Sequence, residues 1–480
     1  MTSDGMTKAR FPVAALAAAL LLAGCANMSG IEPQARAIEP ATLQLDANAQ
    51  AAVPVQWWRG FGDAQLDALV DQALAGNPNL RIAQARLARA QAVSEVANAA
   101  LLPQINGSLD VTTQRYTEKG MIPPPLAGST KTSATLQLGT TWEIDFFGKN
   151  AALLESALGA ARAQQAETDA ARILLAANVT RGYFQLARIE AQLAVAQRTL
   201  AQREEALRLV RDRVNAGLDT SLELRQSEGG LPEARQQIEA LQEQATLARN
   251  ALAALVGKPN TNVVAVAPSL SAIQPLPSAA AIPANLLGQR ADVAAARWRV
   301  EAAGQDIRNA KAQFYPNINL VAFAGLSSIG LGNLLDAGSL QYGVGPAIRL
   351  PIFEAGKLRA NLRGKTADYD AAVESYNATV IEAIHEVGDQ LASGRSIVRQ
   401  QAEQRQAQQA AEAAYDIAVQ RYKAGLGNYL NVLTAENAVL AQRRLAVDLA
   451  ARALDTQVGL ARALGGGYTP PAADAVAATN

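Results

Sequence analysis

Cysteine and histidine are almost absent from this chain of 480 residues, which contains one of each. A single cysteine cannot form a disulfide within one chain, and one cysteine with one histidine cannot make a Cys/His metal site or nucleophile pair. Aromatic residues make up only 5% of the chain, whereas alanine is abundant. This composition favours helices whose backbones pack closely against each other, and it does not favour a thick globular core.

Net charge is also missing, because 43 basic residues balance 43 acidic ones. A nucleic-acid-binding domain usually carries a basic surface, so no nucleic-acid partner is expected. The sequence also lacks a P-loop, since Gly229-Gly230 is not followed by the Lys-Ser/Thr that would hold phosphates. The only histidine, His385, has acidic neighbours on a predicted helix and could suggest a metal site or a proton relay. A lone histidine on a helical face is far more often structural or exposed to solvent, and we predict no catalytic site.

The N-terminus has the pattern of a secretory signal. Two basic residues precede an apolar run, Phe11–Leu22, which is too short for a membrane-spanning helix of about 20 residues. The run ends in Leu22-Ala23-Gly24-Cys25, which resembles a bacterial lipobox, so we expect a covalent lipid on Cys25. A chance cysteine after an ordinary signal peptide is the alternative. Because Ala26 and not aspartate follows, the lipoprotein is expected in the outer membrane.

The mature chain is a tandem duplication. The stretch Arg421–Leu430 interrupts a long helical pattern with two glycines, and Arg213–Leu222 repeats this device with an offset of 208 (425 against 217). Upstream, Phe314–Asn319 matches Leu101–Asn106 with an offset of 213 (314 against 101). Internal repeats decide how a fold is interpreted, so each half should contain the same elements.

Each repeat is predicted to contain a helix, a hairpin, a long helix and a return helix. The long helices cover Asn150–Ala216 and Leu358–Ala424, and at 1.5 Å per residue each would reach roughly 100 Å. In the first, leucine recurs every seventh residue from Leu186 to Leu207, which is a coiled-coil pattern. The other predicted helices are Ala64–Leu101, Leu222–Val256, Ala284–Phe314 and Tyr429–Leu464.

Alternating apolar and polar side chains predict four strands, at 105–112, 136–145, 318–326 and 340–352. Such alternation fits a strand between lipid and a watery lumen, and it also fits a soluble strand half buried on a core. Four strands cannot close a membrane barrel, since the smallest bacterial barrels have about eight. Either the hairpins belong to a soluble sheet or several chains share one barrel, to which three chains would supply twelve strands.

Two local features carry separate expectations. Asp63 follows the Trp57-Trp58 pair and is expected to cap the first helix, with the tryptophans as a packing anchor rather than a ligand site. In the first return helix, Gly229, Gly230 and Pro232 interrupt the run of good helix formers. Glycine costs about 1 kcal/mol and proline about 3 kcal/mol relative to alanine, so we expect a kink there.

Taken together, these features resemble the TolC/OprM-like outer-membrane efflux channels, specifically the lipoprotein branch often labelled NodT. The resemblance covers essentially all of the mature chain. It is carried by the lipobox and by Trp57-Trp58…Phe61…Asp63, Trp142–Lys149, Leu350–Lys357 and Arg421–Gly425, which occur in order and at duplicated spacing.

The resemblance implies a mainly α fold with a β-barrel portion. Three identical chains would each contribute four strands to a 12-stranded transmembrane β-barrel, and their long helices would form an α-helical coiled-coil tunnel across the periplasm. The boundaries expected are a signal peptide at 1–24, a lipidated tether at 25–63, the first repeat at 64–256, a linker at 257–283, the second repeat at 284–464 and a disordered tail at 465–480.

The function implied is that of a passive exit duct in a tripartite efflux pump, lipid-anchored in the outer membrane, for drugs or other small toxic compounds. The partners implied are a periplasmic adaptor and an inner-membrane transporter of the RND or MFS type, and no cofactor is expected besides the lipid. The stretch from Leu350 to about Ser396 resembles members associated with fusaric-acid or aromatic-compound resistance. The alternatives are a type I protein-secretion channel and a trimeric coiled-coil surface protein.

The resemblance also implies roles for the two glycine turns. Gly217-Leu218 and Gly425-Leu426 match the positions at which the adaptor's helical hairpin docks in the family. Glycine suits such a turn because it allows a positive φ and a close approach of another backbone.

Residues beside the second turn match the family's periplasmic gate. Tyr422 corresponds to a tyrosine that helps to hold the closed state, and Leu430 to an apolar residue that closes the pore. Relatives commonly have aspartates where this chain has Asn431 and Thr434, while Glu223 stands at the equivalent place in the first repeat. We therefore expect a gate held by apolar contact and hydrogen bonds, with Glu223 as its main charge.

Overall fold

The computed structural model describes residues 27–39, 43, 53–258, 264, 266–276 and 286–469. The chain divides into two compact units. The first contains 86–164, 296–376 and the N-terminal segment as far as residue 37. The second contains 38–85, 165–295 and the chain from 377 onward. Each unit therefore takes its elements from both halves of the sequence.

The helices and strands occur in the same order in both halves. In chain order they are α1 (Ala64–Gly76), α2 (Pro78–Ala99), β1 (Gln104–Arg115), β2 (Thr130–Glu143), α3 (Lys149–Asn215), α4 (Ser221–Val256), α5 (Leu286–Gln289), α6 (Ala291–Ala312), β3 (Asn317–Ile329), β4 (Leu340–Arg349), α7 (Lys357–Lys423) and α8 (Tyr429–Ala463). The long helices α3 and α7 each have 67 residues. Both of their ends differ by 208 in residue number (149 and 357, 215 and 423), so the element bounds follow the predicted duplication.

The predicted first helix, Ala64–Leu101, is in fact two helices that meet at Asn77. Asn77 has an extended backbone, with φ −68° and ψ 124°, and its side chain accepts hydrogen bonds from the N–H groups of Asn79 and Leu80. The proline at 78 disfavours helical geometry at the residue before it, which explains the break. The corresponding helix of the second repeat is likewise divided, into α5 and α6.

The first return helix, α4, runs without interruption through Gly229, Gly230 and Pro232. Pro232 has no N–H, so the carbonyl of Glu228 loses its usual partner within the helix. One neighbouring carbonyl gains a partner from outside the helix, because Arg203 donates to the oxygen of Gly230 at 2.9 Å. The helix is therefore not broken at this point, and the kink stays a prediction.

The Trp57-Trp58 pair is a packing anchor, as predicted. Both rings are only 2% exposed, and with Phe61 they join the main apolar core of the second unit. Asp63 caps α1, since its carboxylate accepts from the backbone N–H groups of the second and third helical residues. The hydroxyl of Tyr183 donates to the other oxygen of Asp63 at 2.7 Å, which ties the start of α1 to α3.

The four strands form one antiparallel sheet in the order β1-β2-β3-β4. The central pair joins the two repeats, with Thr141 opposite Val321 and Ser133 opposite Ile329. Among the described strands, β1 and β4 each have only one neighbour, so the sheet has two free edges. An exposed edge can pair with a strand of another chain.

One face of this sheet is apolar and the other is polar. One row of cross-strand neighbours on the apolar face is Leu109, Leu136, Leu326 and Leu340. Three of these four leucines are exposed in the single chain. On the opposite face the hydroxyls of Thr135 and Ser327 lie 3.2 Å apart, and Gln341 donates to Gln137 at 3.4 Å. An exposed apolar face opposite a polar one is the pattern of strands that separate lipid from water.

Packed structure continues a short way past the expected boundary at Gly465. Tyr468 is 8% exposed and packs against Ile173 and Ala291. The rest of the predicted tail, from residue 470, lies outside the described residues. In the part of the chain that the structure describes, no helix has both the length and the apolar character needed to cross a membrane.

Candidate functional site

The two glycine turns have the same backbone geometry. Gly217 follows α3 with φ 70°, and Gly425 follows α7 with φ 74°. In each turn the glycine N–H donates across 3.0 Å and the N–H of the next leucine donates across 2.8 Å to a carbonyl five residues earlier. This pair of hydrogen bonds is a Schellman motif, which needs a residue in the left-handed conformation and therefore favours glycine. The positive φ predicted for these turns is confirmed.

The leucines that follow the turn glycines are exposed. Leu218 is 65% exposed and Leu426 is 69% exposed. A Cβ added to Gly217 or Gly425 would meet no atom of this chain within 4 Å. The turns therefore present an apolar side chain beside open space, and only the φ angle makes glycine necessary within the chain itself.

A partly buried polar cluster lies beside the first turn, and we call Arg213, Asp219 and Tyr422 the Asp219 cluster. Arg213 donates to both oxygens of Asp219, from Nε at 2.9 Å and from a terminal nitrogen at 3.3 Å. The Tyr422 hydroxyl also donates to Asp219. The Arg213 guanidinium carbon lies 4.7 Å from the centre of the Tyr422 ring, within range for a cation–π contact. Each member thus contacts both of the others.

The cluster keeps Asp219 ionised. Burial by itself raises the pKa of the Asp219 carboxyl, but hydrogen bonds from Arg213 and Tyr422 outweigh it and hold that pKa below its usual value. Burial raises the pKa of the Tyr422 hydroxyl, and the hydrogen bond to Asp219 raises it further. At neutral pH the cluster therefore holds one anion between a cation and a neutral hydroxyl.

Apolar side chains cover the Asp219 cluster on one side. Tyr422 is 1% exposed and packs with Val210, Tyr429 and Val432. Leu224, near the start of α4, is partly buried against the same group. Because these side chains shield the cluster in part from water, its polar contacts are stronger than they would be at a fully exposed site.

The other predicted gate residues are not in the cluster. Leu430 is 56% exposed, and Thr434 only donates to the carbonyl of Leu430 at 2.9 Å. Asn431 lies in the first turn of α8, where its N–H bonds the capping Asn428. Glu223 closes a capping box at the start of α4, accepting from Thr220, and this hydrogen bond lowers the pKa of the Glu223 carboxyl. All four residues lie in the first two turns of α4 or α8, so the starts of these helices place them near the glycine turns.

Our sequence reasoning missed Arg213 and Asp219, although aligning the repeats would have exposed them. Arg213 corresponds to Arg421, so the arginine occurs in both repeats at the same offset of 208. Asp219 corresponds to Gly427, so the acid occurs only once. A charge present in one repeat and missing from the other indicates a contact that the duplication alone does not produce.

The N-terminal segment lies along the start of α7 in the first unit. Arg359 donates to the carbonyl of Asn27 at 2.6 Å. Asp370 accepts from the consecutive N–H groups of Gln34 and Ala35, at 2.9 Å and 3.0 Å. These are bonds to the backbone of the segment, so they hold it in register along the helix. The predicted lipid-attachment residue, Cys25, lies outside the described residues.

His385 is exposed, and its Nδ1 lies 3.4 Å from the carboxylate of Asp389 one turn along α7. Among the described residues, no group of three or more His, Cys, Asp or Glu side chains is placed to hold a metal ion.

The chain is similar to known outer-membrane proteins. A family model described as outer membrane efflux protein matches residues 69–258 and 282–466. The fusaric acid resistance protein FusA of Burkholderia cepacia is 40% identical over 375 residues, covering 75% of this chain and 70% of FusA. Outer membrane protein OprJ of Pseudomonas aeruginosa is 31% identical over 471 residues, covering 96% of this chain and 97% of OprJ.

Solved structures show the same fold. The outer membrane protein VceC of Vibrio cholerae is 35% identical and superimposes with a TM-score of 0.81, over 86% of this chain and 99% of VceC. The MtrE channel of Neisseria gonorrhoeae, solved in its open state, is 26% identical with a TM-score of 0.77, over 91% of this chain and 98% of MtrE.

The fold, the two-faced sheet and these likenesses define an outer-membrane channel. The chain belongs to the outer membrane efflux protein family. It is a passive efflux channel of the outer membrane and not an enzyme, and it serves in a tripartite efflux system. The predicted family, fold class, function, location and kind of partner are confirmed.

Proposed function

We propose that this efflux channel is closed at its glycine turns by the Asp219 cluster. The observation that carries the proposal is the hydrogen bond from Tyr422, at the end of α7, to Asp219, between α3 and α4. This bond joins the two repeats, so α7 cannot move away from the first turn unless it breaks. The related MtrE channel has been solved in an open state, which supports the idea that channels of this family open and close. Tyr422→Phe, which removes this bond, should raise the open fraction of the channel in planar bilayers, and an unchanged open fraction would contradict the proposed closure.

The pore itself would be narrowed by the start of α8. Leu430 is 56% exposed in one chain, and symmetry would bring three copies together around a pore axis. Glu223, Asn431 and Thr434 would supply the polar part of this constriction. Leu430→Ala should raise single-channel conductance in planar bilayers, whereas Leu222→Ala, at the equivalent place in the first repeat, should not. Equal effects of the two variants would contradict the assignment.

The adaptor would dock on the two turns. Gly217-Leu218 and Gly425-Leu426 each present an exposed leucine beside a glycine whose Cβ position is open. A helical hairpin of another protein can therefore approach the backbone and cover the leucine. Double replacement, Leu218→Asp with Leu426→Asp, should reduce adaptor binding and leave the channel's own conductance unchanged. Unchanged adaptor binding would contradict this assignment.

The sheet supports a barrel shared by three chains. Its apolar face is exposed and its two outer strands have free edges, which hydrocarbon does not tolerate because every backbone polar group there must be paired. Pairing β4 of one chain with β1 of the next would close twelve strands in a homotrimer. Light scattering of detergent-solubilised protein should give the mass of three chains. A monodisperse monomer would contradict the shared barrel.

We infer that Cys25 carries a covalent lipid, because Leu22-Ala23-Gly24-Cys25 has the pattern of a lipobox. Cys25 precedes Asn27 by two residues, and Arg359 fixes Asn27 at the start of α7, which follows β4 closely in the chain. Twelve strands should dominate membrane affinity over acyl chains. Cys25→Ser, secreted through another signal peptide, should therefore lose the lipid by mass spectrometry and still fractionate with the outer membrane. A fully soluble product would contradict the barrel.

The substrates proposed are small aromatic acids of the fusaric-acid kind, delivered by an RND or MFS transporter. The support is the 40% identity to the fusaric acid resistance protein FusA. Deleting the chain should lower the minimal inhibitory concentration of fusaric acid, and a plasmid copy should restore it. Unchanged sensitivity to fusaric acid, together with altered sensitivity to unrelated drugs, would refute this substrate class and leave the efflux function intact.

A further inference from the structure

A second charged group lies buried in the helices that lead to the Asp219 cluster. Arg203 of α3 and Glu436 of α8 have side chains only 8% and 10% exposed. The Arg203 Nε lies 3.2 Å and 3.3 Å from the two oxygens of Glu436. A buried arginine is costly unless its donors are paired, so this geometry is specific and not a chance surface contact.

The same arginine also holds α4. One terminal nitrogen donates to the carbonyl of Gly230 at 2.9 Å and to Glu233 at 3.0 Å. The planar guanidinium offers several donors in a fixed arrangement, which a lysine could not reproduce. Arg203 therefore joins three helices at one point, and its contact with α4 falls on the Gly229–Pro232 stretch.

This stretch divides α4 into two parts that are held differently. After Pro232 the buried residues recur regularly, and they are Ala234, Ile238, Leu241, Ala245, Leu252, Ala253 and Val256. Before Pro232 only Ser227 is buried, and the salt bridge from Arg211 to Glu228 is long at 3.6 Å and partly exposed. The first part, 221–231, is therefore weakly packed and is joined to the second by the residues least suited to a helix.

The weakly packed part is joined directly to Asp219, the acid of the proposed gate. Asp219 lies two residues before the start of α4, and Leu224 packs against the apolar side of the Asp219 cluster. A swing of 221–231 about the Gly229–Pro232 stretch would displace both. Whatever fixes that stretch also fixes the position of Asp219.

We propose that Arg203 is a positioning residue for the gate: by holding the Gly229–Pro232 hinge of α4 against α8, it keeps Asp219 within reach of Tyr422. This inference rests on the proposed gate. Neither Arg203 nor Glu436 touches the Asp219 cluster through any described contact, so the effect is transmitted by the start of α4. Release of the arginine would free about three turns of helix.

The test uses the full-length trimer in planar bilayers. Arg203→Met with Glu436→Gln removes both members of the pair, so no buried charge is left without its counterion. The open fraction of the channel should rise about tenfold, the scale expected when a hydrogen bond to a charged group is lost. Hydrogen exchange should quicken in 221–231 and stay unchanged after Pro232. An unchanged open fraction and unchanged exchange in the assembled trimer would overturn the proposal.

A matched control lies on the same two helices. Arg235 of α4 and Glu204 of α3 form an exposed pair at 3.6 Å. Arg235→Met should leave the open fraction and the hydrogen exchange as in the unaltered chain. An effect equal to that of the Arg203 double variant would mean that any lost charge pair between α3 and α4 suffices, which would overturn the special role of Arg203.

Stiffening the hinge separates positioning from general stability. A Cβ at Gly229 meets nothing within 4 Å, and at Gly230 it lies 3.5 Å from the Arg203 side chain, so alanine fits at both. Adding Gly229→Ala and Gly230→Ala to the Arg203 double variant should reverse most of the rise in open fraction. If the Arg203 double variant does not assemble, the two alanines alone should lower the open fraction, and no change would overturn the proposal.

Failure of this inference can be told from failure of the gate. If Tyr422→Phe opens the channel while the Arg203 double variant does not, only the role of Arg203 is wrong. If neither changes the open fraction, the gate assignment fails and the inference fails with it.

Discussion

The two glycine turns share one backbone and differ in their side chains. Both are Schellman turns with matching hydrogen-bond lengths, and both follow an arginine, Arg213 in the first repeat and Arg421 in the second. Arg213 binds the carboxylate of Asp219, whereas Arg421 faces Gly427 at the equivalent place and donates to the carbonyl of Leu426 at 3.3 Å. The second repeat instead contributes Tyr422, which reaches across to Asp219.

This difference shows what a duplication preserves and what it leaves free. The turn geometry depends on one positive φ and on local carbonyls, so any copy that keeps the glycine keeps the turn. Side-chain charges are not needed for the backbone and can change in one copy alone. The Asp219 cluster uses such a change, since it needs the acid of one repeat and the tyrosine of the other.

The largest effect is expected from filling the space at a turn. Gly425→Trp forces a bulky side chain into a left-handed position and covers the proposed docking surface. Efflux should be abolished, as measured by loss of resistance in cells, while light scattering still gives the trimer. Gly217→Trp is the matched variant in the first repeat, and a difference between the two would show which turn the adaptor depends on. Full resistance with Gly425→Trp would refute the docking surface.

Removing the unique acid should have the next largest effect. Asp219→Asn deletes the charge that binds both Arg213 and Tyr422 and leaves the Arg213 guanidinium, 13% exposed, without its partner. We expect an increase of well over tenfold in the open fraction, because Asp219 accepts three hydrogen bonds and bonds to a charged group contribute roughly 1.5–3 kcal/mol each. Planar-bilayer recordings would measure this. Asp212, in the last turn of α3, has an exposed carboxylate. Asp212→Asn is the control and should behave like the unaltered chain.

Acid should open the gate only when the pH falls below the usual pKa of a carboxyl group. The pKa of Asp219 is lowered in the folded chain, so its stabilising contribution is present above the unfolded value, about 3.9, and is lost as pH falls through the folded value. The open fraction should therefore be flat from neutral pH to about pH 4 and rise below it. With Asp219→Asn the curve should lose this rise. Opening of the unaltered channel near pH 6 would point to another group.

Tyr422→Phe should have a smaller effect than Asp219→Asn. It removes one hydrogen bond to the Asp219 carboxylate and keeps both the ring packing and the Arg213–Asp219 pair, so roughly 1.5 kcal/mol of closing free energy is at stake, the lower end for a hydrogen bond to a charged group. Conductance recordings should show a rise of about tenfold in the open fraction. An effect as large as that of Asp219→Asn would mean that the tyrosine bond, and not the ion pair, carries the closure.

The smallest effect should come from restoring the missing acid. Gly427→Asp places a carboxylate opposite Arg421, as Asp219 is opposite Arg213, and its Cβ would lie at an ordinary 3.6 Å from Arg421. Because Arg421 is exposed, the new pair should raise the stability of the trimer by less than about 1 kcal/mol. Thermal unfolding should shift only slightly, and the open fraction should not change. A large change in gating would show that the two turns differ less than their contacts indicate.

Features that depend on neighbouring residues were predictable from the sequence alone. The duplication, the bounds of α3 and α7 to within one residue, the strand alternation and the turn glycines all follow from periodicity and backbone conformation, which are local properties. The break at Asn77 was also readable, because a residue before proline avoids helical geometry, although the prediction joined the two helices.

Contacts between distant residues were decided only by the tertiary structure. Tyr422 and Asp219 are 203 positions apart, and Arg203 and Glu436 are 233 apart. No periodic pattern marks such pairs, because a buried charge looks like any exposed charge until packing shows which helix faces it. The sequence determined two similar repeats, and the packing of those repeats against each other decided which of their charges meet.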